Sequence, residues 1–187
     1  EELYQAFLKQ LRYIVDQKIR VSNYIDRMFA KYAPATFLSL FIDDCIARGK
    51  DYYNGGPRYN TTYIQCTGLG TVTDSLSTLK KHVFEDMTFS MDELLKAVTA
   101  NFEGAETMRQ VIINRTPFFG NDDEYADHIA VRVYNDLVDT IDGKPNTKGE
   151  TFRLNMLSTT CHVYFGKVLG ATPNGRLAGF AISDGTS

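Results

Sequence analysis

Two short stretches of the sequence favour β-strand, and a long run of helical patterns separates them. Residues 59–67 are rich in β-branched and aromatic side chains, as in a buried strand, and residues 151–159 alternate roughly between apolar and polar positions. The order of elements is therefore mostly helix with two distant strands. One arrangement that fits it is a pair of parallel strands connected only by helices, so the expected fold class is α/β and predominantly helical.

Apolar periodicity and capping residues predict the helices. Residues 3–31 carry apolar side chains at a 3.6-residue spacing, which predicts a long amphipathic helix. Residues 36–48 are apolar on nearly every side, as in a buried helix, and Gly49 is a natural C-terminal cap. Start signals for later helices are a capping-box pair and a similar pair downstream, Ser90 with Glu93 and Asn121 with Glu124.

A glycine loop, Gly68-Leu69-Gly70, follows the first predicted strand, where a phosphate-binding loop would lie. The third glycine of a dinucleotide fingerprint is missing, and no Lys-Ser/Thr pair follows to make a P-loop. The loop is therefore interpreted as a tight structural turn, after which residues 73–75 can cap a short helix over 76–84.

His82 and His128 fall within helical patterns, where a half-exposed histidine is the usual occupant.

Composition excludes several classes of partner and site. With 20 Lys and Arg against 23 Asp and Glu, the net charge of −3 argues against nucleic acid or an anionic membrane as the main partner. Cys45, Cys66 and Cys161 are odd in number and widely spaced, and no signal peptide pattern is visible, so we expect a cytoplasmic protein without a disulfide framework. Cys161-His162 and the acidic run 122–124 lack the ligand spacing of a metal site, and none is predicted.

Nine blocks of sequence, in consistent order along the chain, resemble the glycyl radical enzymes, a pyruvate formate-lyase-like family. They are DDCI (43–46), GKDY (49–52), GGPRYNT (55–61), YIQ (63–65), GLGTVTDSL (68–76), NFEG (101–104), GNDD (120–123), TTCHVYFG (159–166) and GATPNGR (170–176). The resemblance implies a partial segment of a ten-stranded α/β barrel. Its parts would be outer helices (1–49), a strand with the glycine loop (50–75), helices (76–142), and a second strand with its connection (143–187).

The resemblance also implies a mechanism for the parent enzyme, a cytoplasmic lyase or dehydratase of anaerobes, of the formate acetyltransferase type. In this family a glycyl radical generates a thiyl radical, which takes a hydrogen atom from a small substrate. An iron–sulfur activase that uses S-adenosylmethionine installs the glycyl radical, and the parent would be a homodimer. The chain contains neither a Gly-Cys-x-Glu loop nor an Arg-Val-x-Gly-Tyr loop, so Cys45, Cys66 and Cys161 are not expected to be catalytic. We expect no cofactor in this segment and no activity from it alone.

The family branch and the substrate pocket are also read from the resemblance. YIQ (63–65), GNDD (120–123) and TTCH (159–162) look most like the branch that dehydrates 4-hydroxyproline, with glycerol, propanediol or choline as alternative substrates. A non-enzymatic helical interaction fragment is the competing class. Isethionate is less favoured, because a pocket for its sulfonate would be expected to place a cation near Thr159. The nearest cation upstream of Thr159 in the sequence is Arg153. The resemblance assigns Thr159, with Thr160 as the second choice, to the substrate pocket, at the end of the second predicted strand.

Overall fold

The computed structural model describes residues 1–184, and helices account for more than half of them, as the sequence predicts. Within this range, no helix is long and apolar enough to cross a membrane. In chain order the α-helices are α1 (Glu2–Tyr32), α2 (Thr36–Ser39), α3 (Asp43–Arg48), α4 (Leu69–Thr78), α5 (Met91–Thr99), α6 (Glu106–Arg115), α7 (Glu124–Ile141) and α8 (Cys161–Val168). A 3₁₀ turn covers Tyr52–Asn54, and a π-helical segment, Leu79–Glu85, continues α4.

The described chain forms two compact units. The first contains Glu1–Ile64 with Asp136–Asn155, and the second contains Gln65–Asn135 with the described residues from Met156 onward. Strands β1 (Thr62–Gln65) and β2 (Phe152–Asn155) are hydrogen-bonded neighbours in one sheet. Both are shorter than predicted.

The prediction that the first strand is buried is only partly right. Ile64 is buried, but Tyr63 is 59% exposed and Tyr59, before the strand, is 82% exposed. Successive side chains of a strand point to opposite faces of the sheet, so one face of β1 can be covered while the other is not.

Helix α1 confirms the predicted long amphipathic helix, although only part of its apolar side chains are buried. Tyr4 lies on the buried stripe, and its hydroxyl donates to Asp136 Oδ2 of α7 at 2.5 Å. The buried positions follow the helical period and are Tyr4, Leu8, Val15 and Ile19. Other apolar side chains of the helix are exposed, namely Leu3, Ile14, Ile25 and Phe29.

The single buried helix predicted over 36–48 is wrong, because the chain breaks into α2 and α3 and most of its apolar side chains are exposed. Phe37 and Phe41 are 75% and 71% exposed. Ser39 ends α2: its hydroxyl lies within hydrogen-bond distance of Ala35 O, at 2.8 Å, and of Asp51 Oδ2, at 2.9 Å, and can donate to either. Such side-chain bonds compete with helix propagation. The predicted cap is confirmed, since Gly49 ends α3 in the left-handed conformation at φ 61°.

The glycine loop predicted at 68–70 is also wrong, because α4 begins at Leu69 and Gly70 is helical. Gly68 is the N-cap at φ 91°, a conformation that L side chains rarely adopt. A Cβ at Gly68 would lie 3.0 Å from Ile182 Cδ1. Consequently residues 73–75, predicted to cap a later helix, lie inside α4.

The core of the second unit lies around α5 and α6. Ser90 caps α5 through the predicted capping box: its hydroxyl accepts from Glu93 N at 3.2 Å, while Glu93 Oε2 accepts from Ser90 N at 2.7 Å. The buried cluster that α5 and α6 enclose consists of Phe89, Leu94, Ala97, Phe102 and Ile112. The start of α7 differs from the prediction by two residues, because Asp123 rather than Asn121 accepts from the Tyr125 amide, at 2.9 Å.

Candidate functional site

The residues between β2 and α8 form the candidate site. Strand β2 ends at Asn155, so Thr159 and Thr160 do not finish a strand as predicted but lie in the turn that leads into α8. Thr159 has φ 52°, in the left-handed region. A β-branched residue is a genuine outlier there, and such backbone conformations persist where the surrounding structure holds them. The turn is therefore a held, specific conformation.

The side chains of Thr159 and Thr160 are both exposed on this segment. The Thr159 hydroxyl donates to Ser158 O at 2.7 Å and lies 3.8 Å from Cys161 Sγ. A hydroxyl has one donor and two acceptor positions, so the lone pairs of Thr159 remain able to accept a bond. Such an arrangement suits a small polar ligand that carries hydroxyl or amine groups, which can donate to the Thr159 oxygen.

Asp184 is a second polar element of the site, and sequence reasoning did not identify it. Its carboxylate accepts a hydrogen bond from the Ser158 hydroxyl, and Oδ1 lies 3.3 Å from His162 Nδ1. Ser158 is buried, whereas the Asp184 side chain is 65% exposed. Asp184 lies more than twenty residues from both partners in sequence, and no local motif connects them. The Asp184 contacts place His162 beside the Thr159 turn.

Each of the three cysteines is a free thiol. Cys45 is buried, and burial raises the pKa of the Cys66 thiol, which disfavours the nucleophilic thiolate. Cys161 begins α8 and is partly exposed. Within residues 1–184, no three His, Cys, Asp or Glu side chains are grouped as metal ligands would be.

His82 corrects another expectation, since it is 2% exposed rather than half-exposed. Its Nε2 lies 3.0 Å from Thr116 Oγ1, its Nδ1 lies 3.4 Å from Thr88 Oγ1, and its ring stacks on Phe89. Burial lowers the pKa of the imidazole, which favours the neutral form. His82 therefore acts as a neutral hydrogen-bonded core residue.

Asp74 of α4 is the carboxyl group most perturbed by its surroundings. Burial raises its pKa from 3.8 to about 6, although the hydrogen bond from the Phe119 amide opposes that shift. Asp74 Oδ1 accepts this bond at 2.8 Å and so ties α4 to the turn before α7. Sequence reasoning treated Asp74 only as a cap candidate.

Replacing Asp74 by Asn should remove a pH dependence of stability near Phe119. The pKa of Asp74 is higher in the folded state than in the unfolded state. The free energy of local opening around Phe119 therefore falls as the pH rises from about 4 to about 6. We expect a loss of about 1–2 kcal/mol over that range, because the partly buried carboxylate keeps some solvation. Hydrogen exchange of the Phe119 amide at about pH 5 and pH 7.5, corrected for intrinsic rates, should show this change in the natural protein. If the exchange of the Phe119 amide changes as much between the two pH values in Asp74→Asn as in the natural protein, the pH dependence does not come from Asp74.

Comparison with known proteins gives a consistent family. A model of the family "pyruvate formate lyase-like" matches residues 1–166. The chain is 49% identical over 187 residues to trans-4-hydroxy-L-proline dehydratase of Clostridioides difficile, which covers 100% of the chain and 24% of that protein. It thus spans about a quarter of the length of this curated relative.

Solved structures agree with the sequence comparison. Hydroxyproline dehydratase of Clostridioides difficile, with trans-4-hydroxy-L-proline bound, superposes with a TM-score of 0.95 at 49% identity, over 98% of this chain and 23% of that one. The glycerol-bound B12-independent glycerol dehydratase of Clostridium butyricum gives a TM-score of 0.92 at 33% identity, over 98% and 23%. The helix-rich α/β arrangement of this chain is thus shared with both dehydratases.

Proposed function

Because the chain belongs to the pyruvate formate lyase-like family of glycyl radical enzymes, we propose that it is a segment of a radical dehydratase. The substrate of the full-length parent would be a small hydroxylated molecule such as trans-4-hydroxy-L-proline. The observation that carries this proposal is the 49% identity over the whole chain to a dehydratase of that substrate.

In this proposal, Thr159 is the residue of this segment that contacts the substrate, and Thr160 is the second choice. Three features support the assignment: both side chains are exposed, the backbone at Thr159 is held at φ 52°, and a neighbouring carboxylate, Asp184, anchors the turn. The Thr159 hydroxyl donates its hydrogen to Ser158 O, so it can accept from a substrate hydroxyl or ammonium group, whereas the Thr160 hydroxyl can donate or accept. Its task would be binding and orientation, and the radical chemistry would belong to other parts of the parent.

The remaining parts of the parent are also proposals. The segment would supply helices and two strands of a ten-stranded barrel in a homodimeric cytoplasmic enzyme, and an activase would install the glycyl radical. The exposed apolar side chains of α1 and of residues 36–41 support a larger fold, because extensive exposed apolar surface usually marks a contact region. Examples are Ile14, Val21, Phe37 and Phe41, which are each more than half exposed.

A dehydratase of glycerol or a related diol is the second candidate. The glycerol-bound structure favours it, since its fold matches almost as well as that of the hydroxyproline enzyme. The two candidates differ in the ligand that the pocket must hold, because hydroxyproline carries a carboxylate and an amine that glycerol lacks. Comparing turnover of the two substrates by the parent would separate them.

Replacing Thr159 by Val in the full-length parent tests the pocket assignment. Valine keeps the branched shape and removes the hydroxyl, so the fold and the radical content should be retained. Losing one neutral hydrogen bond to the substrate costs about 0.5–1.5 kcal/mol, which corresponds to a rise in KM or a fall in turnover of roughly two- to tenfold. A charged partner on the substrate would enlarge the effect. Steady-state kinetics with trans-4-hydroxy-L-proline measure it.

Thr107→Val is the matched control, because Thr107 is an exposed threonine on α6. It should leave both KM and turnover unchanged. If Thr159→Val and Thr160→Val both behave like the control, this turn does not contact the substrate and the assignment is wrong.

A further inference from the structure

The short segment Ile182–Asp184 is fastened to three places in the second unit. Ile182 N donates to His162 O in α8 at 3.3 Å, and its buried side chain lies against Gly68. Ser183 and Thr71 of α4 exchange two bonds: Ser183 N donates to Thr71 Oγ1 at 2.8 Å, and Thr71 N donates to Ser183 Oγ at 3.0 Å. The backbone that carries Asp184 is therefore well defined.

Asp184 contacts residues on both sides of Thr159. Its carboxylate takes the hydrogen bond of Ser158, the residue before Thr159, and faces the imidazole of His162, three residues after it. The Cys161 amide also donates to Ser158 O at 3.0 Å, which closes the turn through the backbone. Ser158 is 1% exposed, so its hydroxyl has to be satisfied from within the protein.

The conformation of Thr159 needs such support. At φ 52° the branched Cβ of Thr159 is crowded by its own backbone. If the backbone moved to a negative φ, the hydroxyls of Thr159 and Thr160 would point in other directions. The Thr159 side chain helps only locally, through its bond to Ser158 O. Asp184, which is distant in sequence, provides further contacts to the turn.

We propose that Asp184 is a positioning residue, which holds the left-handed turn at Thr159 and so fixes the two threonine hydroxyls toward the substrate. The inference rests on the proposed function, because it assigns a role within the same pocket. Asp184 acts through its hydrogen bond with Ser158 and its proximity to His162, and not by touching the substrate. It can be tested cleanly, since its side chain is 65% exposed and truncation opens no cavity in the core.

The first test follows the turn without any catalysis. In the full-length parent before activation, Asp184→Ala should speed hydrogen exchange of the amides of residues 159–163 about tenfold, because it removes the acceptor that holds the turn. Asp184→Asn keeps an acceptor oxygen and should give an intermediate rate. Asp92→Ala, at an exposed carboxylate in the first turn of α5, should change nothing in residues 159–163. Exchange in Asp184→Ala equal to that of the control overturns the proposal, whatever the substrate is.

The second test uses the activated parent and trans-4-hydroxy-L-proline. Asp184→Ala should raise KM several-fold while kcat and radical content stay near the natural values, and Asp184→Asn should restore part of the lost affinity. Faster exchange with unchanged KM would show a purely structural contact and would overturn the positioning role. If the unaltered parent does not turn over trans-4-hydroxy-L-proline, the proposed substrate is wrong, while the exchange measurement still decides whether Asp184 holds the turn.

Discussion

The isolated 187-residue chain is expected to show no dehydratase activity, even when an activase and S-adenosylmethionine are supplied. The chain has neither the Gly-Cys-x-Glu nor the Arg-Val-x-Gly-Tyr sequence to which the proposed function assigns hydrogen abstraction. Two of its own cysteines are poorly suited to replace them, because Cys45 is buried and burial raises the pKa of Cys66. We expect consumption of trans-4-hydroxy-L-proline at the rate of a protein-free blank.

The control for this experiment is the full-length parent, activated in the same mixture. The parent should consume the substrate, and the isolated chain should not acquire a radical signal in electron paramagnetic resonance. Turnover by the isolated chain above the blank would contradict the division of roles proposed here between this segment and the rest of the enzyme.

Gly166→Ala is expected to disrupt the end of the second unit. A Cβ at Gly166 would lie 2.2 Å from Phe180 O and 2.5 Å from Ala181 Cα. Both are backbone atoms, so α8 and residues 180–181 would have to separate, and the bonds of the adjoining Ile182–Asp184 segment would be strained or lost. The expected cost is about 3 kcal/mol, at the upper end of overpacking effects. Hydrogen exchange and limited proteolysis of residues 160–184 in the full-length parent measure it.

Gly170→Ala is the matched control, four residues further along the chain. A Cβ at Gly170 would meet nothing within 4 Å, so this variant should exchange and resist proteolysis like the natural protein. If Gly166→Ala matched Gly170→Ala, the close approach of α8 to residues 180–181 would be wrong.

Features with a local physical cause could be predicted from the sequence. The capping box of Ser90 and Glu93 and the left-handed cap at Gly49 depend on residues within a few positions of each other, and both are confirmed. The helix over 36–48 was mispredicted because the bond between Ser39 and Asp51, which helps to end α2, spans twelve residues. Apolar periodicity carries no information about such a contact.

The candidate site depended more on resemblance and on distant contacts. Thr159 and Thr160 were selected from the family blocks, but the short β2 and the φ of 52° at Thr159 have no local sequence signal. Asp184 was missed because its partners lie across a turn and a helix from it. Gly68, by contrast, offered a usable signal, since a glycine before an apolar run can be an N-cap as well as part of a loop.

The most direct measurement is turnover of trans-4-hydroxy-L-proline by the activated full-length parent, with glycerol as the competing substrate. We expect loss of water from trans-4-hydroxy-L-proline at a kcat/KM well above that for glycerol, and a raised KM in Thr159→Val. If a parent that carries its radical leaves trans-4-hydroxy-L-proline intact, or prefers glycerol, the proposed substrate is wrong.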